Sequence, residues 1–525
     1  MPDFIEKPLT KLQDLREGSI TRFEREHEEA IVLIRIRDRV VALSATCPHA
    51  GAPLEEGAIC HGRLVCPWHK ATFDLESGAL LEPPALEGLR RFPVEIRDDM
   101  IHVGHASEPI HRVRPGHADH AGAKVFAIVG AGAAGAAACA TLREYGFDGR
   151  ILLIDEETTR PYDRTALSKF VPSGEMKPDD VYPLLPQGFV SAHSIETVNR
   201  RVARLDDATR NIEFADGEVL RYDAALIATG SEPVLPKIEG LKHEHVGERI
   251  AFLRSLADAR QLDALANHGK RVVVIGGSFI GLETASALRK RGLDVTVVMP
   301  NALPFEKMFG KTIAERLMRL HEEQGVRFRT ESEVGSIAFE RNALCVDLAR
   351  GTGATEMLEC DFAVIGTGVS PATAYLSGVR RNDDGGMDVD ASMRVSDTLF
   401  AAGDIAAFPL RSGQRQRIEH WRVAQQQARI AAMNMAGFPV APPIVPFFWT
   451  FQHEKRFDYV GHAKAGDWSD TQTLGSLERL EFVTLYIRGD RVIAALGCNK
   501  EAAMAFLAER MREPLSVSQI RGALE

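Results

Sequence analysis

Two short stretches carry side chains that could bind a soft or borderline metal: Cys47-Pro48-His49 and Cys66-Pro67-Trp68-His69. Each joins one thiol to one imidazole in a loop punctuated by proline or glycine. That ligand set suits zinc or an iron–sulfur cluster. Cys60 and His61 fall between the pairs and read as loop packing. A second chemistry is written further on, in Ile128-Val129-Gly130-Ala131-Gly132-Ala133-Ala134-Gly135. Here the first glycine allows a tight turn, the second lets backbone approach a pyrophosphate, and the third lets a helix pack on a strand. The next apolar run, Ile151-Leu152-Leu153-Ile154, ends in Asp155 and Glu156. One of these carboxylates can take both ribose hydroxyls of an adenosine, and Glu156 is the first choice.

The turn recurs as Gly276-Gly277-Ser278-Phe279-Ile280-Gly281, with serine in the middle glycine's place. Its following strand ends in Met299, where an acid would announce NAD, and no arginine cluster announces a 2′-phosphate. The reading leans to NADH over NADPH. Two further strand ends, Ala228-Thr229-Gly230 and Gly366-Thr367-Gly368, and the run Ala401-Ala402-Gly403-Asp404, belong to the same nucleotide-binding style.

The elements that must position these groups change character along the chain. Short bursts such as Ala30-Ile31-Val32-Leu33-Ile34, Arg39-Val40-Val41-Ala42-Leu43 and Met100-Ile101-His102-Val103 predict a small antiparallel β domain over the first hundred residues. A polar stretch with four histidines, His105, His111, His117 and His120, reads as a connector. Beyond it, strands alternate with helices, the signature of α/β folds, and the two glycine turns open a duplicated nucleotide-binding unit. From about Pro442 the pattern becomes mixed strands with a final helix near residues 501–512.

With 45% hydrophobic and 26% charged residues the chain is ordinary for a soluble globular protein, and 525 residues ask for several domains. A net charge of −10 argues against nucleic acid, whose phosphates need a basic footprint. Seven cysteines are too sparse for a disulfide scaffold and suit a reducing compartment. The uncharged run from Val125 to Leu142 is explained by its glycine turn rather than by a membrane. The N-terminus shows no secretory signal, so a cytoplasmic protein with no membrane partner is expected.

The two ligand pairs resemble the Rieske pattern, in which two cysteines bind one iron of a [2Fe–2S] cluster and two histidines the other. That resemblance makes Cys47, His49, Cys66 and His69 the metal ligands, with structural zinc as the alternative. Rieske subunits of quinol-oxidising complexes carry an extra cysteine in each loop; Ala52 and Trp68 stand there, so the domain is similar to soluble Rieske ferredoxins. The outer edges of His49 and His69 would then be the exposed path for electrons. Together with Pro161-Tyr162-Asp163-Arg164-Thr165-Ala166-Leu167-Ser168-Lys169, the nucleotide motifs resemble the two-dinucleotide-fold flavoprotein reductases. The similar branch is that of ferredoxin reductases and apoptosis-inducing-factor-like proteins with an N-terminal Rieske domain.

The resemblance implies a multidomain chain: a small antiparallel β Rieske domain (1–105), a linker (106–123), and two Rossmann-like α/β dinucleotide-binding domains. The FAD-binding one spans 124–245 and 362–441, and the NAD(P)H-binding one spans 246–361. A C-terminal α+β interface domain (442–525) follows. It implies that Gly130, Gly132, Ala133, Ala134, Gly135, Arg164, Thr229, Gly230, Gly403 and Asp404 line FAD, Asp404 at the ribityl chain. The second turn, from Gly276 through Gly281, and Gly368 would serve the nicotinamide cofactor. Lys169 would pair with Glu283 beside the flavin N5, and His420, Trp421 and Trp449 would border the rings. Disulfide reduction is not expected, since Cys139, Cys345, Cys360 and Cys498 are isolated. A flavin turns paired into single electrons, which gives the order NAD(P)H, FAD, cluster, external acceptor. The Rieske domain would act as a tethered ferredoxin at high effective concentration. The acceptor would be an oxygenase, a haem monooxygenase or a ferredoxin. The alternatives are a redox-sensing interaction protein like apoptosis-inducing factor and a stand-alone NADH oxidase or quinone reductase. The oligomeric state is left open.

Overall fold

The computed structural model describes residues 8–105, 124–350 and 355–524. The connector 106–123, with His111, His117 and His120, lies outside the described residues. The first domain is antiparallel, as the bursts predict. Ile31–Ile36 pairs with both Ile20–Phe23 and Arg39–Ser44, and a second small sheet runs through Ala58–Cys60, Arg63–Val65, Thr72–Asp74 and Leu80–Glu82. Cys60 closes the first of those strands and His61 sits in the turn after it.

The two nucleotide-binding units share one plan. The first sheet is parallel and five-stranded, in the order Ile195–Asn199, Arg150–Asp155, Val125–Val129, Ala224–Ile227, Leu399–Ala401. Its strands are almost wholly apolar because helices cover the sheet. Helix Ala133–Glu144 follows the first glycine turn and packs on helix Trp421–Met435. The run Val125 to Leu142 is thus a strand, a turn and a helix, and among the described residues no helix is long and apolar enough to cross a membrane.

The second sheet runs Ile250–Ala251, Phe362–Ile365, Arg271–Ile275, Asp294–Val298, Arg327–Arg329, again parallel. This corrects the expected boundary after residue 361. Phe362–Ile365 is fully buried beside Arg271–Ile275, so the chain returns to the first unit only beyond it. The last domain is a five-stranded antiparallel sheet backed by helix Glu501–Arg510. A further helix, Val517–Leu524, was not expected. Its signal is Ser516 with Gln519 three residues on: the Ser516 backbone N–H and hydroxyl both donate to Gln519 Oε1, at 3.0 and 3.1 Å.

Candidate active site

The first ligand loop follows strand Arg39–Ser44, and the second joins Arg63–Val65 to Thr72–Asp74. Backbone bonds hold both in shape: Cys47 N–H to Ala52 O at 2.9 Å, and Cys66 N–H to Ala71 O at 2.8 Å. The fold brings like to like. The Nδ1 atoms of His49 and His69 lie 3.1 Å apart with their rings at 87°, and the Cys47 and Cys66 thiols share a hydrogen bond. A cluster in which each iron takes two protein ligands fits this sorting. A tetrahedral zinc needs its ligands around one point, and among the described residues no three His, Cys, Asp or Glu side chains converge so. Burial lowers His49 to about 4 and takes His69 well below its ordinary value, so both rings are neutral, the form that binds iron. The shared hydrogen bond pulls Cys66 down to about 7 and holds Cys47 up.

A cleft opens over the first glycine turn. Gly130 has φ +107°, and a Cβ there would lie 2.3 Å from Ala228 O. A Cβ on Gly135 would meet Gly130 O at 1.9 Å, so that glycine is what lets helix Ala133–Glu144 close on the turn. At Gly132 a Cβ would meet nothing, which leaves a seat clear of protein for a pyrophosphate. Asp155, not Glu156, faces this seat. Asp155 Oδ2 accepts from Ala131 N–H at 2.6 Å and Oδ1 from Glu157 N–H at 2.9 Å, and each oxygen keeps a lone pair for a ribose hydroxyl. Glu156 projects into solvent, 4.0 Å from Arg201.

Further along the cleft, Asp404 accepts from Ser231 Oγ at 3.0 Å and has Arg254 at 3.7 Å. Ala133, Ala134, Thr229, Gly230 and Gly403 line the same wall, with Arg164 bound to Glu157 and to Arg254 O. At the far end Lys169 and Glu283 form a buried pair at 2.9 Å. Ser168 and Thr450 give the other hydrogen bonds to Glu283, at 2.5 and 2.6 Å, and Lys169 Nζ stands 4.6 Å over the Trp449 ring.

The cluster site abuts this cleft. Trp449 and Trp421 both line it, and their ring centroids lie 5.5 and 6.2 Å from His69, which is itself a wall residue. Trp421 is also 5.6 Å from His49. Both imidazoles keep partial exposure, and both face these tryptophans. The Rieske-like domain is docked through its second loop. Lys70, fully buried, reaches Asp458 of the last domain at 2.6 Å. Glu82 is held by Arg422 at 2.9 Å, Gln426 at 2.6 Å and Arg512. A ferredoxin hovering on a tether gives way to one seated by buried charges.

Residues 124–428 match the model for pyridine nucleotide-disulphide oxidoreductases, and residues 6–93 the model for the Rieske [2Fe-2S] domain. The chain belongs to the pyridine nucleotide-disulphide oxidoreductase family. It is 32% identical to human apoptosis-inducing factor 3 over 97% of this chain and 84% of that one. It is 34% identical to the ferredoxin–NAD(+) reductase component of the biphenyl dioxygenase system of Paraburkholderia xenovorans (strain LB400), over 65% of this chain and 81% of that one. Among solved structures, the covalent putidaredoxin reductase–putidaredoxin complex superposes with a TM-score of 0.69 at 26% identity. The match covers 76% of this chain and 96% of that one. This member is a flavoprotein oxidoreductase with a fused Rieske domain, and the cleft fits the group its family binds: an open glycine seat, a ribose acid and a buried lysine.

The second dinucleotide fold of this oxidoreductase contributes Phe279, Ile280 and Glu283 to the cleft. Gly276, Gly277, Ser278 and Gly281 instead build the turn, where Ser278 Oγ donates to Gly366 O at 2.9 Å and caps the helix Phe279–Lys290. Gly368 lies in the loop between Phe362–Ile365 and Val369–Pro371, with φ +108° and no protein atom near where a Cβ would stand. His420 borders the cleft against Phe448, 4.6 Å between rings. Reading the residues missed Ser168, Thr450 and Arg254. The first two neighbour Lys169 and Trp449 and could have been taken from those motifs; Arg254 stands in no motif. All seven cysteines are free and buried, and burial raises Cys139, Cys360 and Cys498 to about 12, far from a reactive thiolate.

Proposed function

We propose that this chain takes electrons from a reduced nicotinamide dinucleotide and delivers them singly, through its own Rieske domain, to an external redox partner. That partner is an oxygenase, a haem monooxygenase or a ferredoxin. The observation that carries the reading is the shared wall: His69, a ligand of the cluster site, lines the same cleft as Lys169 and Glu283, with Trp421 and Trp449 touching both sides. When bound, FAD accepts an electron pair as hydride and the cluster carries single electrons onward.

The residues divide the work. Gly130, Gly132, Asp155 and Asp404 seat the dinucleotide, and Arg164 lines it. Lys169 holds a positive charge at the reacting end, and Glu283 fixes its direction. Trp449 and the docked Rieske domain keep water from that end of the cleft. The names of the relatives support a nicotinamide donor and a redox-protein acceptor; the NAD(+)-named relatives, and the lack of an arginine cluster after Met299, support NADH.

Anaerobic titration with NADH, followed by visible absorbance and low-temperature EPR, tests the reading. The flavin absorbance should bleach and a mixed-ligand [2Fe–2S] signal should grow within the same protein. Colourless protein, or protein holding zinc in place of iron and sulfide, overturns it. His69→Cys should move the EPR signal away from the mixed-ligand form; an unchanged spectrum removes His69 from the ligand set. The likeness to apoptosis-inducing factor 3 along nearly the whole chain favours a second reading, a redox-sensing interaction protein. Negligible turnover with association that depends on NADH would select it.

A further inference from the structure

A buried line of hydrogen bonds leads from Glu283 through the cleft-wall residue Thr450 to side chains that do not line the cleft. Thr450 Oγ1 donates to Glu283 Oε1 at 2.6 Å, and Gln452 Nε2 donates to Thr450 Oγ1 at 3.1 Å. Gln452 Oε1 meets His321 Nε2 at 2.8 Å, and His321 Nδ1 meets His453 Nε2 at 2.9 Å. Three elements supply the members: helix Phe279–Lys290 gives Glu283, helix Lys311–Glu323 gives His321, and strand Phe447–Gln452 and the turn after it give the rest. His321 and Gln452 are wholly buried.

Burial lowers His321 to about 4 and His453 to about 3, so each ring is neutral, with one N–H and one acceptor nitrogen. The valences then allow only two directions. In the first, every donor points inward: His453 Nε2–H to His321, His321 Nε2–H to Gln452 Oε1, the Gln452 amide to Thr450, and the Thr450 hydroxyl to Glu283. That direction needs Glu283 as an accepting carboxylate. In the second, the amide of Gln452 is turned over and every donor points outward, which needs a hydrogen on Glu283 aimed at Thr450. Lys169 and Ser168 both donate to the other oxygen, Oε2, and so favour the carboxylate.

We propose that Thr450, Gln452, His321 and His453 form a relay whose direction is locked to the charge of Glu283. Gln452, His321 and His453 are thereby positioning residues for the Lys169–Glu283 pair. This rests on the reading of that pair as the reacting end of the cleft. The inward direction delivers an oriented hydroxyl to Glu283 without spending either of the bonds to Oε2, and so leaves the carboxylate free to aim Lys169.

Ring tautomers read the direction without any turnover. Full-length protein with 15N-labelled histidine, in long-range 1H–15N spectra, gives them directly, with His321→Asn and His453→Asn as assignment controls among the 17 histidines. The wild type should show both rings as neutral Nε2–H tautomers. In Glu283→Gln the new amide donates to Thr450, and His321 should switch to the Nδ1–H form. Thr450→Ser should keep that switch and Thr450→Val should abolish it. An Nδ1–H His321 in the wild type overturns the proposal. So does a His321 that ignores Glu283→Gln, or one that still follows it when residue 450 is valine. Gln452→Leu should slow single-turnover flavin reduction about tenfold with KM for NADH unchanged; an unchanged rate removes the positioning role. A protein that oxidises no NADH overturns the functional reading instead, while the tautomers still decide the relay.

Discussion

The two dinucleotide folds use the same hinge of glycines and then part. At the first position of each turn, Gly130 and Gly276 have φ +107° and +117°, and a Cβ would strike a carbonyl oxygen at 2.3 Å in both. A Cβ on Gly135 or Gly281 would strike the carbonyl oxygen of those residues in turn, at 1.9 and 2.2 Å. The middle position differs. Gly132 leaves its seat open, whereas Ser278 folds its hydroxyl onto Gly366 O and caps its own helix. The next strand differs as well: Asp155 grips the first turn through Ala131, while Met299 packs on Gly277 with its sulfur 2.5 Å from where a Cβ would stand. The shared glycines are demands of packing helix on strand; the divergent positions, Gly132 with Asp155 and Ser278 with Met299, are where the two turns differ.

That contrast can be broken from its largest effect downward. Gly135→Ala and Gly281→Ala should each destabilise by about 3 kcal/mol or more, because backbone rather than a side chain must yield. Thermal melts should show both losses, and a loss at one site alone would end the claim of a common hinge. Gly132→Val should leave the melt of the apoprotein near wild type yet lower FAD affinity on the order of a hundredfold, read from the flavin-to-protein absorbance ratio. Asp155→Ala should weaken FAD by roughly ten- to a hundredfold, the worth of one or two charge-assisted hydrogen bonds, while Glu156→Ala leaves it unchanged. The reverse outcome would return the ribose to Glu156. Ser278→Ala should cost only about 1 kcal/mol, the loss of a cap, with full FAD content.

Much of the site could be read from the residues because it is local. Four ligands in two loops and a glycine turn after a strand are encoded within a few positions each. The choice between Asp155 and Glu156 was not, because Asp155 closes its strand while Glu156 lies in the bend after it, and the register of Val129 against Ile154 decides which residue meets the turn. The boundary at residue 361 failed for a related reason. Strand Thr355–Cys360 of an antiparallel hairpin runs almost directly into Phe362–Ile365, with no loop to mark the change of sheet. Lys70 with Asp458, and Glu82 with Arg422, are charges from distant parts of the chain, and nothing in either neighbourhood announces the other. His321 sits alone on an amphipathic helix, where a lone histidine carries no sign of what it will face.

The buried seat of Lys70 on Asp458 has a consequence for how this protein behaves in solution. Dissolved ions screen charges that water can reach, and this pair is sealed from water, so added salt loosens the join far less than it would a surface contact. Dilution cannot loosen it, since both partners travel on one chain. Where two such domains are separate molecules, ionic strength and concentration govern how often they meet; here their contact is part of one fold.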